Sequence, residues 1–324
     1  METKIFKTIN LAGQNKKVLA TSYSQIESYL GCPYKWKLDY LLGHRVAGKA
    51  EALDLGTSIH KTLEEYFIGV MNGKEISIAE AQEMLDYNME VQDIPFASQE
   101  NKELAEEQHS NMITGLAGGD SNLAKFMKDK QVVACEKDFH LKIDLPFKVK
   151  FHDELYESIY IIGSIDFIVK DDDGNLYVLD FKSGKKMFEA KKLKTNLQLP
   201  IYSIVVRQIY GRLPVSTQYY FTRHDEFQSV MPLALNENEC KHEYYKNGKI
   251  KQEQRYIEQI YQELIDIFRK QYTIGVYEPN PTALCSWCDH SPWYGNNTQC
   301  KYAEFYRRKD IPVIKGRTKK VKNI

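Results

Sequence analysis

The chain has 324 residues, of which 43% are hydrophobic and 27% charged, and its formal net charge is zero. This composition indicates a soluble globular protein with a sizeable core and excludes a strong global attraction to nucleic acid, so any basic footprint must be local. No apolar run approaches the length that spans a bilayer, and the N-terminal stretch METKIFKTINLAGQNKK lacks the apolar segment of a signal peptide. We therefore expect a cytoplasmic location, where the six cysteines serve as buried thiols, metal ligands or cluster ligands.

Hydrophobic periodicity predicts helices first, then a β-rich region, then helices again. The predicted elements, in chain order, are helices at 22–42, 57–72 and 76–130 (with a break near Pro95), strands within 131–182, a helix at 194–210, strands within 213–235, an amphipathic helix at 250–272 and a cysteine-bearing loop at 279–300. Residues 171–175 (DDDGN) form a turn signal that predicts a hairpin.

The order of these elements indicates one continuous unit of the α/β class, because no Pro- or Gly-rich linker divides the chain. We expect a mixed central sheet flanked by helices, with a helical insertion. Its predicted parts are an N-terminal helical part at 20–130, a sheet core at 131–235, a C-terminal helical and cysteine-bearing lobe at 236–310, and a basic tail at 311–324.

The hairpin at 163–182 (GSIDFIVKDDDGNLYVLDFK) carries an unusual set of charged residues. If its strands pair across the turn at 171–175, Asp166 and Asp180 lie roughly opposite each other at the same end of the hairpin. Residues two apart share a strand face, so Lys182 points the same way as Asp180. The sequence therefore predicts two carboxylates and an ammonium group at one place.

Two bare carboxylates in contact repel each other, and a divalent cation removes that conflict. Carboxylate oxygens suit Mg²⁺ or Mn²⁺ and leave positions for water and phosphate oxygens. Such a cation can activate a water for attack on phosphorus, and a nearby lysine can stabilise the developing charge. The pattern thus points to a phosphodiester substrate, although an Asp-x-Lys pair by itself is usually a minor surface ion pair.

Three further polar residues lie in predicted helices, and none of them indicates a functional site when it is considered alone. His60, in the stretch GTSIH, lies near the apolar face of the 57–72 helix, where most histidines are simply packed. Gln198 and Tyr202, in QLPIY, are four residues apart and so share one face of the 194–210 helix.

Taken together, GTSIH, GSID, DFK and QLPIY occur in the order typical of one family. The chain resembles the RecB-like branch of the PD-(D/E)XK nuclease superfamily over about residues 20–300. This resemblance implies a restriction-endonuclease-like fold and metal-dependent DNA cleavage. By the same resemblance, the metal ligands are His60, Asp166, Asp180 and the main-chain carbonyl of Phe181. Lys182 would serve the attacking water, and Gln198 and Tyr202 would position the lysine or the DNA backbone.

The cysteines extend the resemblance to a subset of that family. One early cysteine, Cys32, is followed far downstream by Cys285, Cys288 and Cys300. CRISPR adaptation nucleases, the AddB helicase-nuclease subunit and related phage exonucleases are similar in pairing one early cysteine with three late ones around a [4Fe–4S] cluster, which takes four thiolates. The resemblance to these relatives implies an exonuclease on single strands or free ends, with 5′→3′ polarity favoured.

Eleven residues separate Cys288 from Cys300, more than is usual in that subset. His290 is therefore an alternative ligand, and Zn²⁺ bound by Cys32, Cys285, Cys288 and either His290 or Cys300 is an alternative to the cluster. The remaining cysteines lack such spacing, and we predict that Cys135 is a buried strand residue and Cys240 a loop thiol.

The expected partner is DNA, single-stranded or with free ends. A group of lysines just beyond Lys182 could follow a phosphate backbone, namely Lys185, Lys186, Lys191, Lys192 and Lys194. No GxxxxGK[ST] phosphate loop is present in the sequence, so any unwinding requires a helicase or recombination partner. Two other readings stay open: a non-catalytic DNA-binding or scaffold subunit with the same fold, and a zinc-stabilised interaction module.

Overall fold

A short β-hairpin and a bent helical segment come first in the computed structural model, which describes residues 4–44, 51–151, 153–247, 250–291, 300 and 302. Their elements are β1 (Phe6–Leu11), β2 (Gln14–Thr21), α1 (Tyr23–Gly31), α2 (Pro33–Trp36) and a π-helical turn at Lys37–Leu41. The hydroxyl of Ser22 caps α1 by accepting a hydrogen bond from the Gln25 N–H. Pro33 suits the first position of α2, where its missing N–H would have no partner. The predicted helical segment at 22–42 is confirmed.

The helical insertion contains α3 (Glu51–Met71), α4 (Ile78–Gln92), α5 (Gln99–Gly118) and α6 (Asn122–Met127). The break predicted near Pro95 separates α4 from α5. Ser77 and Glu80 form a reciprocal capping box that starts α4. The buried Asn88 amide on α4 donates to Glu65 Oε2 at 3.0 Å, which ties α4 to α3.

Long strands make up the β-rich region, as predicted. They are β3 (Lys130–Phe151), β4 (Glu154–Asp171) and β5 (Leu176–Lys182). Asp171 fixes the turn between β4 and β5, because its carboxylate accepts hydrogen bonds from the Asn175 N–H at 2.8 Å and the Tyr177 hydroxyl at 2.9 Å. Gly174 has a φ of 76°, a left-handed conformation that glycine adopts without steric cost.

The last elements are α7 (Ala190–Thr195), α8 (Gln198–Tyr210), β6 (Ser216–Phe221), β7 (Glu226–Val230), β8 (His242–Tyr244), β9 (Ile250–Glu253) and α9 (Ile257–Arg269). The helix predicted at 250–272 is wrong at its N-terminal end, where residues 250–253 form β9 and pair with β8. Three polar residues follow Ile250, so this stretch has no apolar face for a helix to bury, whereas antiparallel pairing satisfies its main-chain groups. On α9 itself, Ile260, Leu264 and Phe268 are fully buried.

The chain forms two compact units. One consists of Met1–Gly48, His140–Gly163 and Tyr261–Ile324, and the other of Lys49–Phe139 and Ser164–Ile260. The one-unit organisation and its four parts stay predictions, and the predicted basic tail at 311–324 lies outside the described residues.

In the first unit, β1 and β2 are antiparallel, and the end of β2 runs parallel to the first part of β4 through the pair Ala20↔Tyr160. Trp36 is fully buried there and stacks on Tyr277 with ring centroids 6.0 Å apart. The Tyr29 hydroxyl donates to the Val276 carbonyl at 2.9 Å. Segments distant in sequence are thus packed together in this unit.

In the second unit, the rest of β4 is antiparallel to β5, β5 is parallel to β6, and β6 is antiparallel to β7. Helices α3 to α6 pack on one face of this mixed sheet in a core that includes Leu63, Phe67, Phe167 and Phe181. Successive strand residues point to opposite faces of the sheet. Helix α8 contacts β5 and β6 on the face opposite this core. The predicted α/β class, a mixed sheet flanked by helices, is confirmed.

Within the described residues, no helix is both long enough and apolar enough to cross a membrane.

Candidate active site

The β4–β5 hairpin brings Asp166 and Asp180 together, as its sequence predicts. Its register pairs Phe167 with Leu179, so the next pair toward the open end sets Asp166 opposite Asp180. Both side chains are buried, with 8% and 1% of their residue surface exposed. The Asp166 carboxylate accepts a hydrogen bond from the Phe181 N–H at 2.8 Å, which fixes its position on the hairpin.

A hydrogen-bonded network joins the end of β5 to the start of α8. The Lys182 ammonium forms an ion pair with Asp180 and donates to Gln198 Oε1 at 3.1 Å. The Gln198 amide in turn donates to Asp180 Oδ1 at 2.5 Å and to the Tyr202 hydroxyl at 3.1 Å. Asn196 holds the start of α8, because its side-chain oxygen accepts from the Gln198 N–H at 2.7 Å. The predicted alignment of Asp180 with Lys182, and of Gln198 with Tyr202, is thus present.

His60 projects from α3 toward the same end of the hairpin. Its Nε2 lies 2.9 Å from the Phe181 carbonyl oxygen. Its Nδ1 lies 3.4 Å from Asp166 Oδ2 and 3.4 Å from Glu136 Oε1. His60 is therefore placed among polar partners of the candidate site and is not merely packed against apolar side chains.

Glu136 belongs to this group, although no motif in the sequence points to it. It lies on β3 with a φ of 43°, in the left-handed region that a non-glycine residue seldom adopts. Its second carboxylate oxygen accepts a hydrogen bond from the Ser164 hydroxyl at 2.7 Å. In the sequence, Glu136 stands out only as a carboxylate beside Cys135, within a run that is otherwise typical of a strand.

The charges of this cluster oppose one another. Burial raises the pKa of Asp166 above its usual range, and the nearby Asp180 carboxylate adds to the rise. Burial alone would lower the pKa of His60, but Asp166, Glu136 and Asp180 outweigh that effect and raise it to about 9. The hydrogen bond from His60 lowers the pKa of Glu136. A bound cation would offset the repulsion between these crowded carboxylates.

His60, Glu136 and Asp166 each offer a ligand atom, and these atoms all lie within 4.8 Å of one another. No second group of three such residues meets this spacing in the part of the chain that the structure describes. Asp180, also predicted as a ligand, lies beside the group with its two oxygens engaged by Lys182 and Gln198. A nitrogen with several carboxylate oxygens fits a divalent cation such as Mg²⁺ or Mn²⁺.

The lysines beyond Lys182 have different surroundings. The Lys185 ammonium lies 3.3 Å from Glu51 Oε1, and the Lys194 ammonium donates to the Lys251 carbonyl at 2.9 Å. Lys192 lies over the Phe188 ring, while Lys186 and Lys191 are exposed. Their predicted role in binding DNA stays a prediction.

The four cysteines predicted as cluster ligands all lie in the first unit. The Cys32 sulfur accepts a hydrogen bond from the Asn280 N–H at 3.5 Å, and the Cys285 sulfur accepts one from the Thr282 N–H at 3.4 Å. Burial raises the pKa of the Cys288 thiol to about 11, and the neighbouring Cys300 adds to the rise. The Cys300 N–H donates to the carbonyl of His290 at 3.1 Å.

His290, the alternative ligand, is fully buried, and its Nε2 bonds to Asp39 at 2.8 Å. Asp39 is also paired with Lys35. Of the remaining cysteines, Cys135 is a half-buried residue of β3 packed against the core, and Cys240 follows a short 3₁₀ turn.

Comparison with known proteins gives one family match. A family model described as the PD-(D/E)XK nuclease superfamily matches residues 20–293. No curated protein matches the chain at a significant level. A solved structure described as "Crystal structure of SSO0001" is 12% identical in sequence, and the match covers 86% of this chain and 92% of that one with a TM-score of 0.27. A likeness at that TM-score carries no argument about this chain.

Proposed function

Because the chain belongs to the PD-(D/E)XK nuclease superfamily, a group of metal-dependent nucleases, we propose that it hydrolyses DNA phosphodiesters at the His60–Glu136–Asp166–Asp180–Lys182 cluster. The observation that carries the proposal is the convergence of these side chains at one end of the β4–β5 hairpin. The residues that would hold Mg²⁺ or Mn²⁺ are His60, Glu136, Asp166, Asp180 and the carbonyl of Phe181. When bound, the cation supplies Lewis acidity to a phosphate oxygen and lowers the pKa of a water.

Lys182 is the group we assign to charge stabilisation at the phosphate. Its side chain is about a quarter exposed, so it can reach a substrate while its pairing with Asp180 limits its freedom. A fixed cation aimed at developing negative charge lowers the barrier, because it needs no reorganisation at the moment of reaction.

Gln198 acts in this proposal as a positioning residue. Its amide group contacts Lys182 with its oxygen and Asp180 with its nitrogen, so it fixes the two catalytic side chains relative to each other. Tyr202 supports Gln198 in turn. Burial raises the pKa of Tyr202 well above its usual value, so its hydroxyl stays protonated.

We further propose that the chain is a RecB-like exonuclease that acts on single-stranded DNA or free ends. It would have 5′→3′ polarity and act beside a helicase in repair or recombination. Its support is the motif resemblance and the absence of a phosphate loop from the sequence. Linear single- and double-stranded DNA labelled at either end, and circular single strands, test it in the presence of Mn²⁺. We expect short products from the 5′ end and an intact circle. Cleavage of the circle would show an endonuclease.

We also propose that Cys32, Cys285, Cys288 and Cys300 hold a [4Fe–4S] cluster. The N–H···S bonds to Cys32 and Cys285 support this, since hydrogen bonds to ligand sulfurs are a common feature of such sites. The cluster would join Cys32 to the late cysteines within a unit already held by the Tyr29–Val276 bond.

Zinc bound by the same cysteines is the alternative to the cluster, because thiolates are also ligands of structural zinc sites. His290 Nε2 is held by Asp39 at 2.8 Å, and its buried Nδ1 has no hydrogen-bond partner among the described residues. A metal-bound histidine commonly has its second ring nitrogen held by a carboxylate, so His290 stays the alternative to Cys300 as the fourth ligand.

Glu136→Gln tests whether Glu136 takes part in metal binding. The substitution keeps the size of the side chain but removes the charge beside His60. We expect the Mn²⁺ concentration for half-maximal cleavage to rise about 10- to 100-fold, the usual range for a group that supports a metal site. Glu64→Gln is the matched control, because it also removes the charge of a paired glutamate. The partner of Glu64 is Lys61 on α3, which is outside the proposed site. An unchanged Mn²⁺ requirement in Glu136→Gln would remove Glu136 from the site.

A further inference from the structure

A pocket of about 310 Å³ lies in the second unit, at the C-terminal end of β6. Gln108 and Asn111 of α5 line it on one side, and Thr222, Arg223 and His224 on the other. A volume of this size is at the lower end of the range for small-molecule sites. None of these residues takes part in the catalytic proposal above.

The pocket adjoins the catalytic lysine through the main chain. Strands β5 and β6 are parallel, with Lys182 paired to Phe221. The Thr222 N–H donates to the Lys182 carbonyl at 3.0 Å. Arg223 Nε donates to the Ser183 carbonyl at 2.8 Å. Arg223 is therefore anchored to the residue that directly follows Lys182.

Arg223 is a half-buried cation whose one carboxylate neighbour among the described residues, Glu51, interacts with it electrostatically but is ion-paired to Lys185 at 3.3 Å. Its second bond is to a neutral acceptor, since Nη1 donates to Gln108 Oε1 at 3.1 Å. No ion pair to Arg223 forms within the described part of the chain. These two bonds use two of the five N–H donors of a guanidinium. Because Glu51 is shared with Lys185 and three guanidinium donors remain, this fixed arginine beside a pocket indicates an anionic ligand.

The other charged groups of the pocket do not neutralise Arg223. Asp225 accepts from the Asn122 N–H at 2.8 Å and from the Tyr220 hydroxyl at 2.7 Å, which compensates part of its charge. Asp120 is exposed to solvent. Burial lowers the pKa of the adjacent His109 to about 4, so that ring stays neutral.

We propose that Arg223 binds a phosphate of the DNA strand next to the phosphodiester that is cleaved. Arginine matches phosphate oxygens in geometry as well as in charge. This inference rests on the proposed nuclease function and adds a substrate-binding residue to it. The tether to Ser183 would keep the bound phosphate at a fixed distance from Lys182.

The test measures binding of a fluorescein-labelled single-stranded oligonucleotide over a series of KCl concentrations, in an Asp180→Ala background and in EDTA so that no cleavage occurs. Adding Arg223→Gln should weaken binding about 10- to 100-fold, the range for a hydrogen bond to a charged group. It should also make the slope of log K against log [KCl] less steep by about 0.7, the value for one lost contact with a single-strand phosphate.

Three further variants separate this role from a structural one. Arg223→Lys keeps the charge and should restore the salt slope. Thr222→Val removes a hydroxyl contact with the Lys182 carbonyl but no charge, so it should leave the slope unchanged. Arg212→Gln is the matched control, because Arg212 also donates to a main-chain carbonyl, that of Gly174, at the other end of the hairpin. It too should leave the slope unchanged.

Oligonucleotides with a 5′-phosphate and with a 5′-hydroxyl distinguish the two sources of phosphate. If Arg223→Gln loses affinity only for the 5′-phosphorylated strand, Arg223 binds a terminal phosphate. If it loses affinity equally for both strands, Arg223 binds an internal phosphate. An unchanged slope in Arg223→Gln overturns the inference and leaves the nuclease proposal intact. If the Asp180→Ala parent protein binds no DNA, both proposals fail.

Discussion

Replacing Asp180 by alanine is expected to abolish DNA cleavage while leaving DNA affinity within a few fold of wild type. The carboxylate is almost fully buried and holds both Lys182 and Gln198. Its loss removes a proposed metal ligand and frees the lysine, so we expect at least a ~10³-fold fall in kcat. End-labelled DNA in Mn²⁺ measures cleavage, and gel shift in EDTA measures binding.

Two companion variants make this result specific. Asp180→Asn keeps the shape of the side chain and should be nearly as inactive, which separates lost charge from lost packing. Asp172→Ala is the matched control, because Asp172 is an exposed residue of the turn at the other end of the same hairpin. It should cleave like wild type. Undiminished cleavage by well-folded Asp180→Ala would contradict the site.

Replacing Cys32 by serine should remove the proposed cluster and destabilise the first unit. The wild-type protein, purified without oxygen, should be brown and carry about four irons per chain, as four-thiolate ligation implies. Cys32→Ser should lose that absorption. Its Tm should fall by about 10 °C or more, because ligand binding in such sites is part of the folding free energy.

The other cysteines provide the controls and identify the fourth ligand. Serine at Cys135 or Cys240 should leave the colour unchanged, whereas serine at Cys285 or Cys288 should bleach it. Cys300→Ser should bleach the protein as well, and His290→Ala should not. A colourless protein with one zinc per chain, prepared anaerobically, would refute the cluster. The nuclease proposal would survive that result, since the hairpin site is built from other residues.

Local rules were sufficient for the centre of the candidate site. A turn signal fixes the hairpin register, and the two-residue period of a strand then places Asp180 and Lys182 on one face. The helical period does the same for Gln198 and Tyr202. These relations span few residues, so tertiary packing has little opportunity to override them.

The parts that the sequence left out depend on long-range packing. Glu136 reaches His60 across 76 residues, from a backbone conformation that strand patterns do not reveal. The role of Arg223 could not be predicted from the sequence, because only the parallel pairing of β5 with β6 brings it to Ser183. The start of α9 was misplaced because β8 competes for residues 250–253 through main-chain pairing, which side-chain periodicity does not report.

We hold that the carboxylate cluster makes this chain a metal-dependent deoxyribonuclease. The most direct measurement is the release of nucleotides from single-stranded DNA by purified wild-type protein, titrated with Mn²⁺ after removal of metal by a chelator and run beside Asp180→Ala. We predict no release without metal, release that rises and saturates with Mn²⁺, and none from the variant. Release that is independent of metal, or equal in the two folded proteins, would contradict the claim.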